Sequence, residues 1–326
     1  MKIVLIISAL LFASQTVAEA LPDLPDLPAF LAEMQQKHDF NSEDLAKVFA
    51  EVKVKDSIIK AISRPAERSK PWFDYRAIFL TDSRINGGVK FWQQHADDLL
   101  RAEQKYGVPA EIIVAILGVE TRYGGNVGGY RVIDALSTLA FQYPPRSPFF
   151  RSELEAFLLL TREEELSALK PMGSYAGAMG LGQFMPSSYR EYAIDFDDDN
   201  HRDIWTNPTD AIGSIANYLK RHGWVAGISI SHPTFFTGAV DTDLITKGMK
   251  PSLSRQTLSS AGVSLKGMPD GNDPLALISL TQQHGEEYWL VRQNFYTITR
   301  YNHSRMYAMA VTQLGQAIRL DYEDKK

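Results

Sequence analysis

The sequence contains no cysteine among its 326 residues. It can therefore form no disulfide, and a chain of this length must draw its stability from a hydrophobic core instead. A bacterial lipoprotein carries its lipid on a cysteine that directly follows the signal peptide. We therefore expect no lipid anchor on this chain.

Long apolar runs are also absent, and no segment has the length and apolarity of an ordinary transmembrane helix. The most apolar segment, residues 3–13, comes directly after Lys2. Ala18 and Ala20 then form the small-residue pattern of a signal-peptide cleavage site. We predict a signal peptide over residues 1–20, cleaved after Ala20 or after Ala18. The mature protein is then expected to be exported, soluble and periplasmic.

Positive charge is in deficit, because the net charge at pH 7 is −5. Such a chain has no electrostatic attraction to a polyanion, so we expect no nucleic-acid partner. The hydrophobic content of 44% and the charged content of 22% are typical of a soluble globular protein. The length is sufficient for two or three domains.

A buried helix is predicted over residues 110–121, whose sequence is AEIIVAILGVET. Pro109 suits the helix start, and two glycines soon after the helix favour its end. Glu120 lies in the last turn, where the helix dipole and the apolar neighbours both disfavour a negative charge. This placement predicts a raised pKa for Glu120 and a carboxyl that can act as a general acid. The alternative is a surface glutamate, or one that pairs with Arg122.

Apolar residues recur at helical spacing in much of the remaining chain. Residues 31–63 are expected to hold two helices, the second of which begins at Asn41 or Ser42. Ser152 and Glu155 have the spacing of a capping box at a helix start. Further helical segments are predicted over residues 88–107 and 132–143, from Ser152 to about Leu169, from Asn207 to His222, and from Asn302 to about Leu320.

Three segments lack this spacing. Residues 227–287 are richer in Gly, Pro, Ser and Thr, and we predict a small β-rich insert there. Residues 288–299 contain strand-like pieces with a break at an asparagine. Residues 70–81 are rich in aromatic side chains and are predicted to be loop or strand.

Residues 173–189 have the sequence GSYAGAMGLGQFMPSSY, which combines small residues with hydroxyl and aromatic side chains. Small residues allow the backbone to approach a ligand closely, while the polar and aromatic groups suit a wall of a sugar-binding cleft. The alternative is a tightly packed turn between helices, which is compatible with a cleft wall.

Six stretches occur in a fixed order between about residues 70 and 320: GVETRYG, DALSTLAF, FFRSELEAFLLL, GSYAGAMGLGQFMPSSYREYAIDF, DAIGSIANYLKRHGW and NFYTITRYNHSRMYAMAV. In these stretches the chain resembles the membrane-bound lytic transglycosylase B family, which is glycoside hydrolase family 103. The resemblance implies a mainly α (α+β) fold with a lysozyme-like core. It places a helical N-terminal domain at residues 21–106, the core at 107–226 and 288–322, and the small β domain at 227–287.

The resemblance further implies an enzyme that cleaves the glycan strands of peptidoglycan, with Glu120 as its only catalytic carboxyl. Glu120 would protonate the glycosidic oxygen between N-acetylmuramic acid and N-acetylglucosamine. It would then take the proton of the muramic acid 6-hydroxyl, which attacks the anomeric carbon and forms a 1,6-anhydro ring. This reaction needs no catalytic cofactor, no water and no second carboxylate. Residues 173–189 and 296–307 agree with it, because they contain no acidic residue.

Other site residues are implied by the same resemblance. Arg146 is expected to meet the peptide carboxylates of the substrate. Pro145 stands where family members often have a basic residue, so recognition of the stem peptide remains open. For each tyrosine alone the alternative is core packing. The remaining substrate-binding residues are Ser174, Gln183, Tyr218, Tyr301, Asn302 and Tyr307, of which Ser174, Asn302 and Tyr307 are expected at the catalytic carboxyl.

Residues 195–206 follow the first part of an EF-hand calcium loop, with carboxylates at positions one, three and five. Thr206 replaces the usual glutamate at position twelve, and the resemblance favours closure of the site by Asp210. The alternative is a solvated acidic turn in which Asp210 serves only a helix N-terminus. The predicted ligands of a structural Ca²⁺, or of Na⁺ in its place, are Asp195, Asp197, Asp199, the His201 carbonyl and Asp210.

Two other functions are compatible with the sequence. One is a muramidase that uses water and shares Glu120 as its acid. The other is a catalytically silent peptidoglycan-binding scaffold, which the presence of Glu120 disfavours. Besides the glycan strands, cell-wall synthesis and division proteins are the candidate partners.

Overall fold

The computed structural model describes residues 24–63, 70–239, 241–245 and 249–325. The predicted signal peptide lies outside these residues. The chain divides into two compact units, Met1–Lys53 and Val54–Lys326. None of the helices in the described ranges combines the length and apolarity needed to cross a bilayer.

Helices dominate both units, which confirms the mainly α prediction. The first unit contains α1 (Leu27–His38) and α2 (Ser42–Ala50). The second begins with α3 (Asp56–Ile62), a helix that the sequence prediction for residues 31–63 missed. In chain order the helices are α1 Leu27–His38, α2 Ser42–Ala50, α3 Asp56–Ile62, α4 Trp72–Phe79, α5 Asp82–Gln94, α6 Ala96–Tyr106, α7 Ala110–Thr121, α8 Val132–Gln142, α9 Ser147–Glu163, α10 Pro186–Tyr192, α11 Pro208–Arg221, α12 Arg255–Ser260, α13 Gln293–Tyr301 and α14 Arg305–Asp324.

Two asparagines cap helices as predicted. The Asn41 side chain accepts a hydrogen bond from the backbone N–H of Glu43 at 2.9 Å, at the start of α2. The Asn207 side chain accepts one from the backbone N–H of Thr209 at 3.0 Å, at the start of α11. Each bond satisfies an N–H group that has no partner inside its helix.

Two segments differ from the sequence prediction. Residues 70–81 contain helix α4, because Trp72 and Tyr75 lie one helical turn apart and bury the same face. Within residues 288–299 the strand ends at Val291, and helix α13 follows. In both segments the aromatic and β-branched side chains favour a strand when the sequence is considered alone. The helix forms there because the segment packs against other elements of the fold.

Two predicted helix starts are also wrong. Helix α9 begins before Ser152, whose hydroxyl donates a 2.8 Å hydrogen bond to the Phe149 carbonyl and so caps nothing. Asn302 ends α13 instead of opening the final helix. The cap of α14 is Ser304, whose Oγ accepts from the backbone N–H of Tyr307 at 3.3 Å.

A three-stranded antiparallel sheet confirms the β-structure predicted in residues 227–287. Its order is β3 (Ser231–Thr234), β5 (Glu286–Val291) and β4 (Ala276–Thr281). Val291 of the central strand pairs with Ser231 on one side and Ala276 on the other. Leu258 of α12 belongs to the apolar cluster of this region. The domain boundaries remain predictions. The strands are β1 Tyr130–Arg131 and β2 Met172–Gly173, which pair with each other, then β3 Ser231–Thr234, β4 Ala276–Thr281 and β5 Glu286–Val291.

Helix α7 occupies the core of the second unit, as its apolar sequence predicted. Helices α5, α6, α11 and α14 pack against it. Near its C-terminal end, a Cβ on Gly118 would lie 2.5 Å from Tyr123 Oη, so any other residue there would displace the Tyr123 ring. Tyr123 Oη donates a 2.7 Å hydrogen bond to the Arg84 carbonyl. These contacts hold the end of α7, where Glu120 lies.

Candidate active site

Glu120 is half-buried in the last turn of α7 and accepts a hydrogen bond from a tyrosine near the C-terminus. Tyr307 Oη donates a 2.6 Å hydrogen bond to Glu120 Oε1. Tyr307 lies in the first turn of α14 and is 2% exposed. The structure thus brings together two of the predicted site residues. The raised pKa of Glu120 remains a prediction.

Tyr301 is the second tyrosine of this site. Its ring lies nearly parallel to that of Tyr307, with an angle of 9° and a centroid separation of 6.5 Å. Tyr301 Oη donates a 2.5 Å hydrogen bond to the Gly182 carbonyl. Burial raises the pKa of both phenols, and the nearby negative charge of Glu120 raises it further. Both tyrosines are therefore neutral hydrogen-bond donors at physiological pH.

Tyr218 on α11 supports this pair. Its ring meets that of Tyr301 edge to face at 4.9 Å and stacks on His222 at 4.0 Å. The Tyr218 hydroxyl donates a 2.6 Å hydrogen bond to the Arg300 carbonyl. Burial raises the pKa of Tyr218 as well. The predicted tyrosines of α11, α13 and α14 therefore form one aromatic cluster beside Glu120.

Gln183 and Ser174 shape the backbone of residues 173–189. Gln183 adopts a left-handed conformation with φ 52°. Its Nε2 donates to the Gly180 carbonyl at 2.9 Å and to the Val127 carbonyl at 3.2 Å. Ser174 Oγ accepts from the backbone N–H of Ala178 at 3.0 Å, within its own loop. A contact between Ser174 and Glu120 stays a prediction.

Thr121 is a site residue that the sequence analysis missed. It is fully buried, and its Oγ1 donates a 2.9 Å hydrogen bond to the Leu181 carbonyl. The same oxygen accepts from the backbone N–H of Gly124 at 3.0 Å. Thr121 thereby ties the end of α7 to the segment 173–189. Its position next to Glu120, before two glycines, was the only signal in the sequence.

Asn302 and Arg146, the two remaining predicted site residues, differ in exposure. Asn302 is half-buried between α13 and α14, directly after Tyr301. Arg146 is exposed in the short turn before α9, and its guanidinium carbon lies 4.4 Å from the Phe149 ring centroid. Their contacts with substrate stay predictions.

Three of the predicted metal ligands come together. Asp195, Asp197 and Asp210 each offer a carboxylate oxygen, and these oxygens lie within 4.8 Å of one another. Asp210 is fully buried, and its oxygens accept from the backbone N–H groups of Phe196 at 2.7 Å and Asp203 at 2.8 Å. Burial raises the pKa of Asp210 to about 6, the two N–H groups oppose this, and the neighbouring carboxylates add to it.

Asp199 is not part of this group, and the His201 carbonyl as a ligand stays a prediction. Asp199 Oδ1 accepts a 2.8 Å hydrogen bond from the backbone N–H of His201. Asn200 stands at position six of the loop, where an EF-hand has glycine, and it adopts a left-handed conformation with φ 71°. Clustered carboxylates, one of them buried, fit a hard cation that prefers oxygen ligands. The residues present are therefore compatible with calcium or sodium.

A family model and a curated relative match nearly the whole described chain. Residues 24–316 match the model of the transglycosylase SLT domain. The chain is 44% identical over 305 residues to membrane-bound lytic murein transglycosylase B of Escherichia coli K12, covering 91% of this chain and 83% of the relative.

Solved structures show the same fold, and the predicted lysozyme-like architecture is confirmed by them. The catenated lytic transglycosylase SltB1 of Pseudomonas aeruginosa has a TM-score of 0.88 and 51% identity, covering 91% of this chain and 98% of that one. The E. coli lytic transglycosylase Slt35 in complex with calcium has a TM-score of 0.84 and 44% identity, covering 92% and 94%. P. aeruginosa SltB3 in complex with NAG-anhNAM-pentapeptide has a TM-score of 0.79 and 31% identity, covering 90% and 78%. The chain therefore belongs to the transglycosylase SLT domain family and is a lytic transglycosylase.

Proposed function

We propose that this lytic transglycosylase cleaves the β-1,4 bond between N-acetylmuramic acid and N-acetylglucosamine in peptidoglycan and leaves 1,6-anhydro ends. The observation that carries the proposal is the hydrogen bond from Tyr307 to Glu120. It presents a single, oriented carboxyl beside two stretches, residues 173–189 and 296–307, that contain no other acid.

The reaction uses the Glu120 carboxyl twice. In its acid form it gives a proton to the glycosidic oxygen as the bond from that oxygen to the anomeric carbon breaks. The muramic acid 6-hydroxyl oxygen then bonds to the anomeric carbon, and its proton passes to the Glu120 carboxylate. Glu120 ends in its starting form, and no water is consumed. A relative whose structure contains an anhydro-muramoyl ligand supports this product.

Tyr307 acts as a positioning residue in this mechanism. Its hydroxyl holds Glu120 Oε1 and so fixes the orientation of the carboxyl. A hydrogen bond to a charged group contributes about 1.5–3 kcal/mol, so this bond also stabilises the carboxylate that forms midway. The same hydrogen bond disfavours the protonated form of Glu120. The C-terminal end of α7 has the opposite effect, because the helix dipole disfavours a negative charge there.

The remaining predicted residues would bind the glycan. The half-buried ring of Tyr301 stacks beside Tyr307, the buried ring of Tyr218 packs against Tyr301, and together they would support a surface against which a sugar can pack. Ser174, Gln183 and Asn302 would supply polar contacts to sugar hydroxyls and acetamido groups. Arg146 would meet a carboxylate of the stem peptide from its exposed position.

A structural cation is proposed at Asp195, Asp197 and Asp210, with Asp199 and the His201 carbonyl available at its margin. Calcium is the favoured ion and sodium the alternative. The ion would neutralise the clustered carboxylates and hold the loop before α11. The relative Slt35 has been observed with calcium. The cation supplies no chemistry to the reaction.

Export to the periplasm through the signal peptide at residues 1–20 is part of the proposal, since peptidoglycan lies there. Contacts with cell-wall synthesis or division proteins remain a prediction. The E. coli relative is named as membrane-bound.

Mass spectrometry of the products tests the function. Purified protein is incubated with isolated peptidoglycan sacculi, and the released muropeptides are compared with those of a water-using muramidase. The transglycosylase reaction predicts products that lack the mass of one water. Reducing ends alone would identify a muramidase, and tight binding without any product would identify a scaffold.

A further inference from the structure

The turn that follows Glu120 has an unusual backbone. Arg122 and Tyr123, which come directly after the end of α7, have left-handed conformations with φ 53° and φ 61°. Residues other than glycine seldom adopt such conformations, and two in succession persist only where other contacts hold them. Strained backbone of this kind is concentrated at active sites. The turn therefore requires contacts that fix it next to the Glu120 carboxyl.

Thr121 supplies the contacts that hold this turn. It lies directly after Glu120 and is fully buried. Its Oγ1 accepts a 3.0 Å hydrogen bond from the backbone N–H of Gly124. Its backbone carbonyl accepts a 2.8 Å hydrogen bond from the backbone N–H of Asn126. Both bonds span the two left-handed residues, so they fix the end of the helix that carries Glu120.

The Thr121 hydroxyl also reaches the glycine-rich segment 173–189. It donates a 2.9 Å hydrogen bond to the Leu181 carbonyl. The next carbonyl along the segment, that of Gly182, accepts a 2.5 Å hydrogen bond from Tyr301 Oη. The Tyr301 ring in turn lies parallel to that of the tyrosine that donates to Glu120. Two consecutive carbonyls are thus held by hydroxyls from α7 and α13, both of which contribute to the site around Glu120.

We propose that Thr121 is a positioning residue of the reaction, and this rests on the proposed function. Its hydroxyl fixes the Glu120 carboxyl relative to the segment 173–189, so that the acid meets the glycosidic oxygen of a glycan bound against that segment. Thr121 does not touch the glycan, because its side chain is fully buried. A shift of about 1 Å in a reacting group can lower a rate roughly a hundredfold. The hydroxyl therefore affects turnover and not the affinity for the glycan.

Steady-state kinetics of Thr121 variants on soluble glycan strands test the proposal. Thr121→Val keeps the size of the side chain and loses the hydroxyl, so it is expected to lower kcat roughly tenfold and to leave KM within about twofold of the wild-type value. Thr121→Ser retains the hydroxyl and should keep kcat within about twofold of the wild-type value. The matched control is Thr161→Val, because Thr161 is also buried and its Oγ1 donates a 2.9 Å hydrogen bond to the Leu158 carbonyl. This control should turn over at the wild-type rate.

A double-mutant cycle with Tyr307→Phe separates positioning from a general loss of stability. If Thr121 and Tyr307 orient the same carboxyl, the variant that combines Thr121→Val with Tyr307→Phe should lose less kcat than the product of the two single losses. Thr161→Val should leave the loss caused by Tyr307→Phe unchanged. All rates are measured below the Tm of each variant. Thr121→Ala makes the same comparison if Thr121→Val does not fold.

An unchanged kcat in Thr121→Val, with only a lower Tm, would overturn the proposal, because the hydroxyl would then serve stability alone. Equal losses in Thr121→Ser and Thr121→Val would overturn it, as would fully multiplicative losses in the double-mutant cycle. The masses of the products are determined in the same assays. Anhydro ends from the wild-type protein would support the proposed function whatever the Thr121 variants do. Reducing ends alone would contradict the proposed function and leave the comparison of kcat values valid.

Discussion

Tyr307 Oη and Glu120 Oε1 are joined by a hydrogen bond of 2.6 Å, although the two residues are 187 positions apart in the chain. The bond links the C-terminal end of α7 to the N-terminal turn of α14. It orients the one carboxyl to which we assign the chemistry.

Removing the Tyr307 hydroxyl should slow the reaction more than it weakens substrate binding. We expect Tyr307→Phe to lower kcat roughly ten- to hundredfold, the range that a hydrogen bond to a charged group represents, with KM little changed. Tyr189→Phe is the matched control, because Tyr189 is also a buried tyrosine, and its hydroxyl donates to the Arg202 carbonyl. Similar losses of activity in both variants would contradict a specific role for Tyr307.

Replacing the Glu120 carboxyl by an amide should remove the proton transfer. We expect Glu120→Gln to reduce turnover of sacculi by roughly 10²- to 10⁴-fold, the usual contribution of a general acid or base. The control is Glu111→Gln in the first turn of the same helix, which loses an ion pair with Arg319. Undiminished turnover in Glu120→Gln would exclude Glu120 from the mechanism.

Calcium should stabilise the fold through the acidic cluster. Adding calcium to chelator-treated protein is expected to raise Tm by roughly 3–8 °C, because a ligand that binds only the native state adds to its stability. Asp197→Asn should lose most of this rise. Asp198→Asn, an exposed neighbour outside the cluster, should retain it. Identical melting curves with calcium and with chelator would argue against a stabilising ion.

His222 should make stability depend on pH. Burial lowers the pKa of His222, the charges of Arg300 and Arg221 lower it further, and its hydrogen bond with the Tyr218 carbonyl opposes them. The folded state thus favours the neutral ring, whereas the unfolded ring takes up a proton as the pH falls below about 6.5. The contribution of His222 to the free energy of unfolding should therefore fall as the pH is lowered from 7.5 to 5.5, while protonation of Asp210, whose pKa is raised, acts in the opposite direction.

Urea unfolding at both pH values measures this effect. His222→Gln should lose less stability than the wild-type protein when the pH is lowered from 7.5 to 5.5. The control His284→Gln, at an exposed position, should behave like the wild-type protein. A pH dependence that is unchanged in His222→Gln would assign the effect to other groups.

Local structure can be predicted from the sequence where the residues that determine it all lie within one short segment. The helix over residues 110–121 and the caps at Asn41 and Asn207 follow from apolar spacing and from side chains that bond to nearby N–H groups. Residues 70–81 and the start of α13 were predicted wrongly, because aromatic and β-branched residues suit both strand and helix. Whether such a segment forms a helix or a strand depends on the elements that pack against it.

The sequence by itself determined that one carboxyl stands at the unfavourable end of a buried helix and that the cleft-like segments contain no other acid. Only the tertiary structure decided that Tyr307 reaches Glu120, that Thr121 binds the Leu181 carbonyl, and that Asp210 joins Asp195 and Asp197. Each of these relationships connects different elements of the fold. Local propensities do not specify such contacts, since they arise only when helices pack around a common core.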